Sequence, residues 1–235
     1  MRLTANLKED RFGNSLFDVL VTESTGEVIK RTLPLEDFVN LLADCTKIKK
    51  EKRPMIEVSK VPNNCLKLRQ GEKPCDFDAA FFLKEEIVGA KILGNPMRFP
   101  QPRRVVFISH RGAESGTYGR TNLRVYAVKD KDITDTTKLF WYPLGHVGED
   151  GHVCTGNAGA GVDLSSVDKS QDYFDAFFGA ECSGHYYSKG GTIKEDMSYG
   201  EMMETLSGLS EFPYEWLQPS RCGSVSQAWS LFVGK

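Results

Sequence analysis

The chain has 235 residues, 40% of them hydrophobic and 26% charged. That balance suits one large or two small globular domains and excludes a mainly disordered chain. With 30 basic and 32 acidic residues the net charge is −2, so no global field favours nucleic acid or an anionic membrane surface. No apolar run approaches the roughly 20 residues needed to span a bilayer, and the opening MRLTANLKEDRFGN lacks the apolar centre of a signal peptide. Six cysteines without a CxxC pair are too sparse for a disulfide scaffold, which predicts free thiols in a reducing cytoplasm.

Along the chain, residues 1–15 are polar and expected to fray. Residues 16–22 read as a strand, Ser24-Thr25-Gly26 as a turn and residues 27–33 as the returning arm of a hairpin. Leu35, Phe38, Leu42 and Cys45 recur at helical spacing after Thr32 and Pro34, predicting a helix near 34–46. The basic run 47–53 reads as solvated loop. Residues 54–80 carry scattered Pro, Asn, Gly and Cys, with room for a short strand at 55–58. Residues 79–93 fit either one helix or two strands split near Glu85-Glu86, and Gly94-Asn95-Pro96 and Pro100-Gln101-Pro102 punctuate a connector.

The next part is clearer. Runs at 104–109, 123–128 and 138–142, with a Gly-rich turn at 112–119, imply an antiparallel meander. An irregular segment follows, PLGHVGEDGHVCTGNAGAG. Ser166 can cap a helix over 167–179 whose apolar face is Tyr173, Phe174, Phe177 and Phe178. Residues 196–207 read as another helix, with Met202, Met203 and Leu206 inward, and the tail around Cys222 carries no clear signal. Strands first and helices later is the α+β pattern. The irregular segment sits at the switch, where long ordered loops are often functional.

Cys154 lies in that segment between Gly151 and Gly156. Glycines allow sharp turns that leave the side chain between them exposed, and a thiolate is a strong nucleophile near neutral pH. The four histidines are His110, His146, His152 and His185, of which the last three lie near Cys154 in sequence. His185 could orient a reacting group, act as base or tune the thiol. A Cys2His2 zinc site from His152, Cys154, Cys182 and His185 lacks a standard ligand spacing. GNAGAG has no following Lys-Ser/Thr and does not match a nucleotide loop. No cofactor or metal is expected.

Residues 143–157 resemble the active-site segment of ubiquitin-conjugating enzymes, where a His-Pro-Asn motif precedes a loop ending in Gly-x-Ile/Val-Cys; Gly151-His152-Val153-Cys154 matches the latter part. The closer resemblance is to the prokaryotic ubiquitin-conjugating-like family D, a branch that includes PRTRC system protein B. Its pattern is Pro-Phe-x-Asn-Val, an acidic-Gly turn, Val-Cys-x-Gly-Asn, a Phe-rich helix and then a His. The counterparts here are Pro143 to Val147, Asp150-Gly151, Val153 to Asn157, residues 173–178 and His185. The resemblance covers about 85–218. It sets apart an N-terminal hairpin and helix region, 1–84, either separate or part of the same domain, a UBC-like domain, 85–218, and a tail, 219–235.

The resemblance implies a UBC-like α+β fold, an antiparallel meander followed by the active-site loop and C-terminal helices. It also implies that Cys154 accepts a ubiquitin-like protein as a thioester and passes it to an amine, with Asn157, His146 and His185 completing the site. The implied partners are the ubiquitin-like protein, a ThiF-like activating enzyme and a JAB metallopeptidase of the same operon, with no nucleic acid and no membrane. One position departs from the pattern: His146 stands where the motif has Asn, the residue credited with supporting the loop and stabilising the oxyanion. A His Nε2–H can donate a similar hydrogen bond, and its protonation near pH 6–7 would then tune transfer. The competing readings are a non-catalytic UBC-like scaffold of a plasmid-borne or phage-borne system, and a Cys-His hydrolase of a ubiquitin-like precursor built on Cys154 and His185.

Overall fold

The computed structural model describes residues 2–9, 15–22, 28–39, 61–112 and 119–234. The chain forms two compact units, Met1–Met55 and Ile56–Lys235. In the first, β1 (Arg2–Glu9), β2 (Ser15–Thr22) and β3 (Val28–Pro34) form an antiparallel sheet in that order. β2 and β3 are the expected hairpin. β1 corrects the expectation of a frayed start: Leu3, Ala5 and Leu7 alternate with polar residues, the period of a strand, and pair in register from Arg2 opposite Thr22 to Glu9 opposite Ser15. Residues 35–39 are helical and open the helix expected over 34–46. The rest of that helix with Cys45, the basic run and the 55–58 strand lie outside the described residues.

The second unit holds β4 (Cys65–Gln70), β5 (Phe77–Leu83), β6 (Glu86–Ile92), β7 (Asn95–Gln101), β8 (Arg104–Gly112), β9 (Gly119–Ala127), β10 (Lys138–Trp141) and β11 (Pro219–Ser224). Six of these pair antiparallel in the order β11-β10-β9-β8-β5-β4, and β6 and β7 form a separate hairpin. The meander is therefore present, and residues 79–93 are the two-strand alternative. The expected connector at 94–102 is instead the return arm β7, turned at Leu93 and Gly94, both at positive φ.

The two units part at 55/56, and β4 and β5, which fall within the expected region 1–84, belong to the same sheet as β8. The expected tail supplies β11 at the sheet's edge and a helix, α3 (Val225–Val233). Ser224 and Gln227 form a capping box at its start, a signal that was present in the sequence.

Both faces of the sheet are covered, which explains the unbroken apolar run of β8. On one face Ala80, Val105, Phe107 and Tyr126 pack with Val225, Ala228 and Phe232 of α3. On the other, Ala79, Phe81, Val106, Ile108, Leu123 and Val125 meet the segment after β10 and the helices α1 (Ser170–Phe178) and α2 (Tyr199–Ser207). α1 buries the predicted Tyr173, Phe174, Phe177 and Phe178, and α2 buries Met202, Met203 and Leu206. Ser166 makes no side-chain cap; its hydroxyl bonds Asp168. The strands thus provide a rigid two-sided floor, and the irregular segment lies on the floor's helical side.

Candidate active site

Residues 146–154 fold back on themselves as a short bridged loop. Val147 bridges Val153. The amide of Gly148 donates to His152 O at 2.8 Å, that of Gly151 to Gly148 O at 2.9 Å, and that of Cys154 to His146 O at 3.1 Å. The Asp150-Gly151 turn is strapped to β9. Val125 N–H donates to Gly151 O at 2.9 Å, and the Arg124 guanidinium donates to Asp150 O at 3.1 Å. The Tyr126 hydroxyl also donates to Asp150 O. Gly151 has φ +77 and lies so close to Tyr126 that a Cβ would stand 2.4 Å from the ring. Only glycine serves there, on conformational and steric grounds alike.

This backbone scaffold leaves the Cys154 side chain free. Cys154 is the one exposed cysteine among those described; Cys65 is half-buried and Cys75, Cys182 and Cys222 are buried. Its thiol borders a groove of about 570 Å³ lined also by His146, Asn157, Phe177, Glu181 and His185. The four residues singled out in the sequence, Cys154, His146, Asn157 and His185, therefore share one groove.

Their settings differ. Asn157 and His185 are exposed. His185 Nδ1 lies 3.1 Å from Ser183 Oγ, and its ring leans on Tyr186 at 4.2 Å between centroids. His152 is exposed beside the groove's cysteine. His146, by contrast, is 6% exposed. Its ring stands edge-on to Phe177, 4.7 Å between centroids. Nδ1 lies 2.7 Å from Cys182 Sγ, while Nε2 is buried and has no hydrogen-bond partner among the described residues. Burial pushes the His146 imidazole down to about 4, and the neighbouring His185 charge adds to the same direction. The ring is neutral through pH 6–7, so the expected pH response of His146 in that range is corrected: a buried imidazole cannot charge there.

Cys182 and Tyr199 are the residues that sequence reading missed as partners of this site. Cys182 is 1% exposed. β6 pins it in place: Cys182 N–H donates to Lys91 O at 2.9 Å and Leu93 N–H to Cys182 O at 3.1 Å. The Tyr199 hydroxyl donates to Cys182 Sγ at 2.9 Å. Its sulfur is thus engaged twice; among the described residues no three His, Cys, Asp or Glu side chains gather as metal ligands. The loops of Gly145 and Gly184 also meet backbone to backbone, where a Cβ on Gly145 would stand 2.0 Å from Gly184 Cα.

Residues 78–220, more than half of the chain, match the family model of prokaryotic E2 family D. The chain belongs to this family. That membership makes it a ubiquitin-conjugating-like protein, and its antiparallel sheet with C-terminal helices is the α+β arrangement that the family implies. The matched span opens inside β5 and closes inside β11, so it takes in the meander, the bridged loop, Cys154 and the helices α1 and α2. No curated protein and no solved structure matches the chain. Among the described residues no helix is long and apolar enough to cross a membrane.

Proposed function

We propose that this E2 family D member is a carrier of a ubiquitin-like protein, charged on Cys154 by a ThiF-like activating enzyme and discharged to an amine. The observation that carries this reading is the placement of Cys154, exposed on a groove within the family-matched span and, among the described residues, free of any hydrogen bond that would occupy its sulfur. In charging, the Cys154 thiolate attacks the activating enzyme's thioester carbonyl. The tetrahedral intermediate then expels the donor thiolate, so one C–S bond forms as another breaks. In discharge, an unprotonated amine attacks the Cys154 thioester. The C–S bond breaks, an amide forms, Cys154 leaves as thiolate, and the proton lost by the amine passes to that thiolate or to solvent.

Such chemistry needs an exposed sulfur and a donor for the oxyanion, and little else. His146 is the donor in this reading, and His185 and Asn157 meet the incoming chain ends at the groove. A Cys-His hydrolase would couple an imidazole directly to the nucleophile. Among the described residues neither imidazole bonds Cys154 Sγ; His185 Nδ1 is on Ser183 and His146 Nδ1 is on Cys182, which favours the carrier. A JAB metallopeptidase is the further partner in this scheme, and the cytoplasm its compartment.

The test is incubation with the cognate activating enzyme, the ubiquitin-like protein and ATP, read on a non-reducing gel. A DTT-sensitive adduct is expected on the wild type and not on Cys154→Ala, with a DTT-resistant oxyester on Cys154→Ser. An activating enzyme that charges itself but never transfers to the wild type would overturn the carrier reading in favour of the scaffold.

A further inference from the structure

We infer that Cys182 and Tyr199 are positioning residues that fix the tautomer of His146, leaving its Nε2–H as an unspent donor for the thioester oxygen. The inference rests on the proposed transfer reaction and assigns two residues to it. The chain of hydrogen bonds has a direction. Tyr199 Oη donates to Cys182 Sγ at 2.9 Å, and Cys182 Sγ lies 2.7 Å from His146 Nδ1. The thiol has one proton to give. Apart from Nδ1, no acceptor among the described residues takes it. If S–H donates to Nδ1, that nitrogen is an acceptor, and the neutral ring carries its proton on Nε2.

The opposite assignment fares worse on three counts. With Nδ1–H donating, the sulfur would accept twice and its own proton would have no partner. Nε2 would also become a bare lone pair, repelling an oxyanion in place of binding it. A buried nitrogen with no partner would then have no function, whereas a buried unpaired donor on a residue that lines the Cys154 groove has a use when a carbonyl oxygen arrives with the modifier. The ring is further held by the edge contact with Phe177 at 4.7 Å and by its own carbonyl, which accepts from Cys154 N–H at 3.1 Å. The same residue thus holds Cys154 through its backbone and lines the Cys154 groove with its side chain.

The decisive measurement is nitrogen-15 NMR of the His146 imidazole in the full chain at neutral pH, which distinguishes a proton on Nε2 from one on Nδ1 without any variant or partner. A proton on Nε2 is expected, and one on Nδ1 overturns the inference outright. Single-turnover discharge of the Cys154 thioester to free lysine then tests its use. Cys182→Ala should slow discharge about 10-fold, short of the roughly 10²-fold for losing a donor altogether, with charging unchanged. Cys182→Ser should restore the rate and the Nε2–H signature, because a hydroxyl both accepts from Tyr199 and donates to Nδ1. Equal discharge rates in wild type and Cys182→Ala overturn the positioning role. A wild type that shows Nε2–H yet never forms a thioester instead overturns the carrier reading and leaves the hydrogen-bond chain standing.

Discussion

Two cysteines meet at His146, and their surroundings are opposite. Cys154 holds the residue by its backbone, amide to carbonyl at 3.1 Å, and keeps its sulfur exposed. Cys182 holds it by the ring, sulfur to Nδ1 at 2.7 Å, and is 1% exposed. The loop of Cys154 is held by backbone hydrogen bonds and by the side chains of Arg124, Tyr126 and Asp150, so the Cys154 side chain has no structural duty. The segment of Cys182 uses the sulfur itself as a structural atom. Environment therefore separates an accessible thiol from a fastener where residue type does not.

The largest expected effect tests that separation directly. Brief alkylation of the native protein should modify Cys154 and spare Cys182, as read by peptide mass spectrometry; Cys182 should react only when the protein is unfolded first. Equal labelling of the two would break the comparison. Next in size is Gly145→Ala, where the new Cβ would stand 2.0 Å from Gly184 Cα. Two backbones meet there and no side chain can swing aside, so the loops must part, at a cost above about 3 kcal/mol in urea unfolding. Gly156→Ala sharpens the contrast. Its φ is +49 with nothing within 4 Å of the added Cβ, so it should cost only about 1 kcal/mol.

How legible this arrangement is from the sequence depends on range. Short apolar runs in β8 and β9 and the Phe-rich face of α1 are local patterns, and they are where expected. The Gly151 turn and the exposure of Cys154 also follow from neighbours within a few residues. β1, β4, β7 and α3 escaped, though Leu3, Ala5 and Leu7 alternate, and Ser224 with Gln227 spells a capping box. The four candidate residues could be named, but the burial of His146 could not. It depends on Phe177, Cys182 and Tyr199, which arrive from three later segments, and on β6 pinning Cys182 through Lys91 and Leu93. A motif comparison that reads His146 as a loop residue carries no such information.

The ring's role in transfer comes third in size. His146→Ala should still charge at near-normal rate, since Cys154 and its backbone support are unchanged, while discharge should fall about 10²-fold. His146→Asn should recover most of that, because a carboxamide N–H can donate from the same place. Identical discharge by all three proteins would show that the groove's buried ring has no part in transfer.

The smallest effect concerns stability, and it reads the burial of the same ring by an independent route. The ordinary imidazole value is 6.5 and burial lowers that of His146 to about 4. A group whose folded value is depressed gives stability that is fully present above its unfolded value. Between pH 6.5 and 4 the unfolded chain takes up a proton that the folded chain refuses, so stability declines as pH falls through that window. From pH 7 to 4.5 the decline due to this one ring is about 2 kcal/mol. Other groups titrate over the same range, so the quantity to measure is a difference. Urea unfolding of wild type and His146→Asn at both pH values should show the wild type losing about 2 kcal/mol more, since Asn has no proton to gain. Raising the pH from 7 to 8 should leave the difference unchanged, because the ring is neutral in both states there. Parallel losses in the two proteins would mean that the imidazole titrates as it does in water. The ring would then be open to solvent, and the contrast between a free Cys154 and a Cys182 spent on a buried partner would lose its basis.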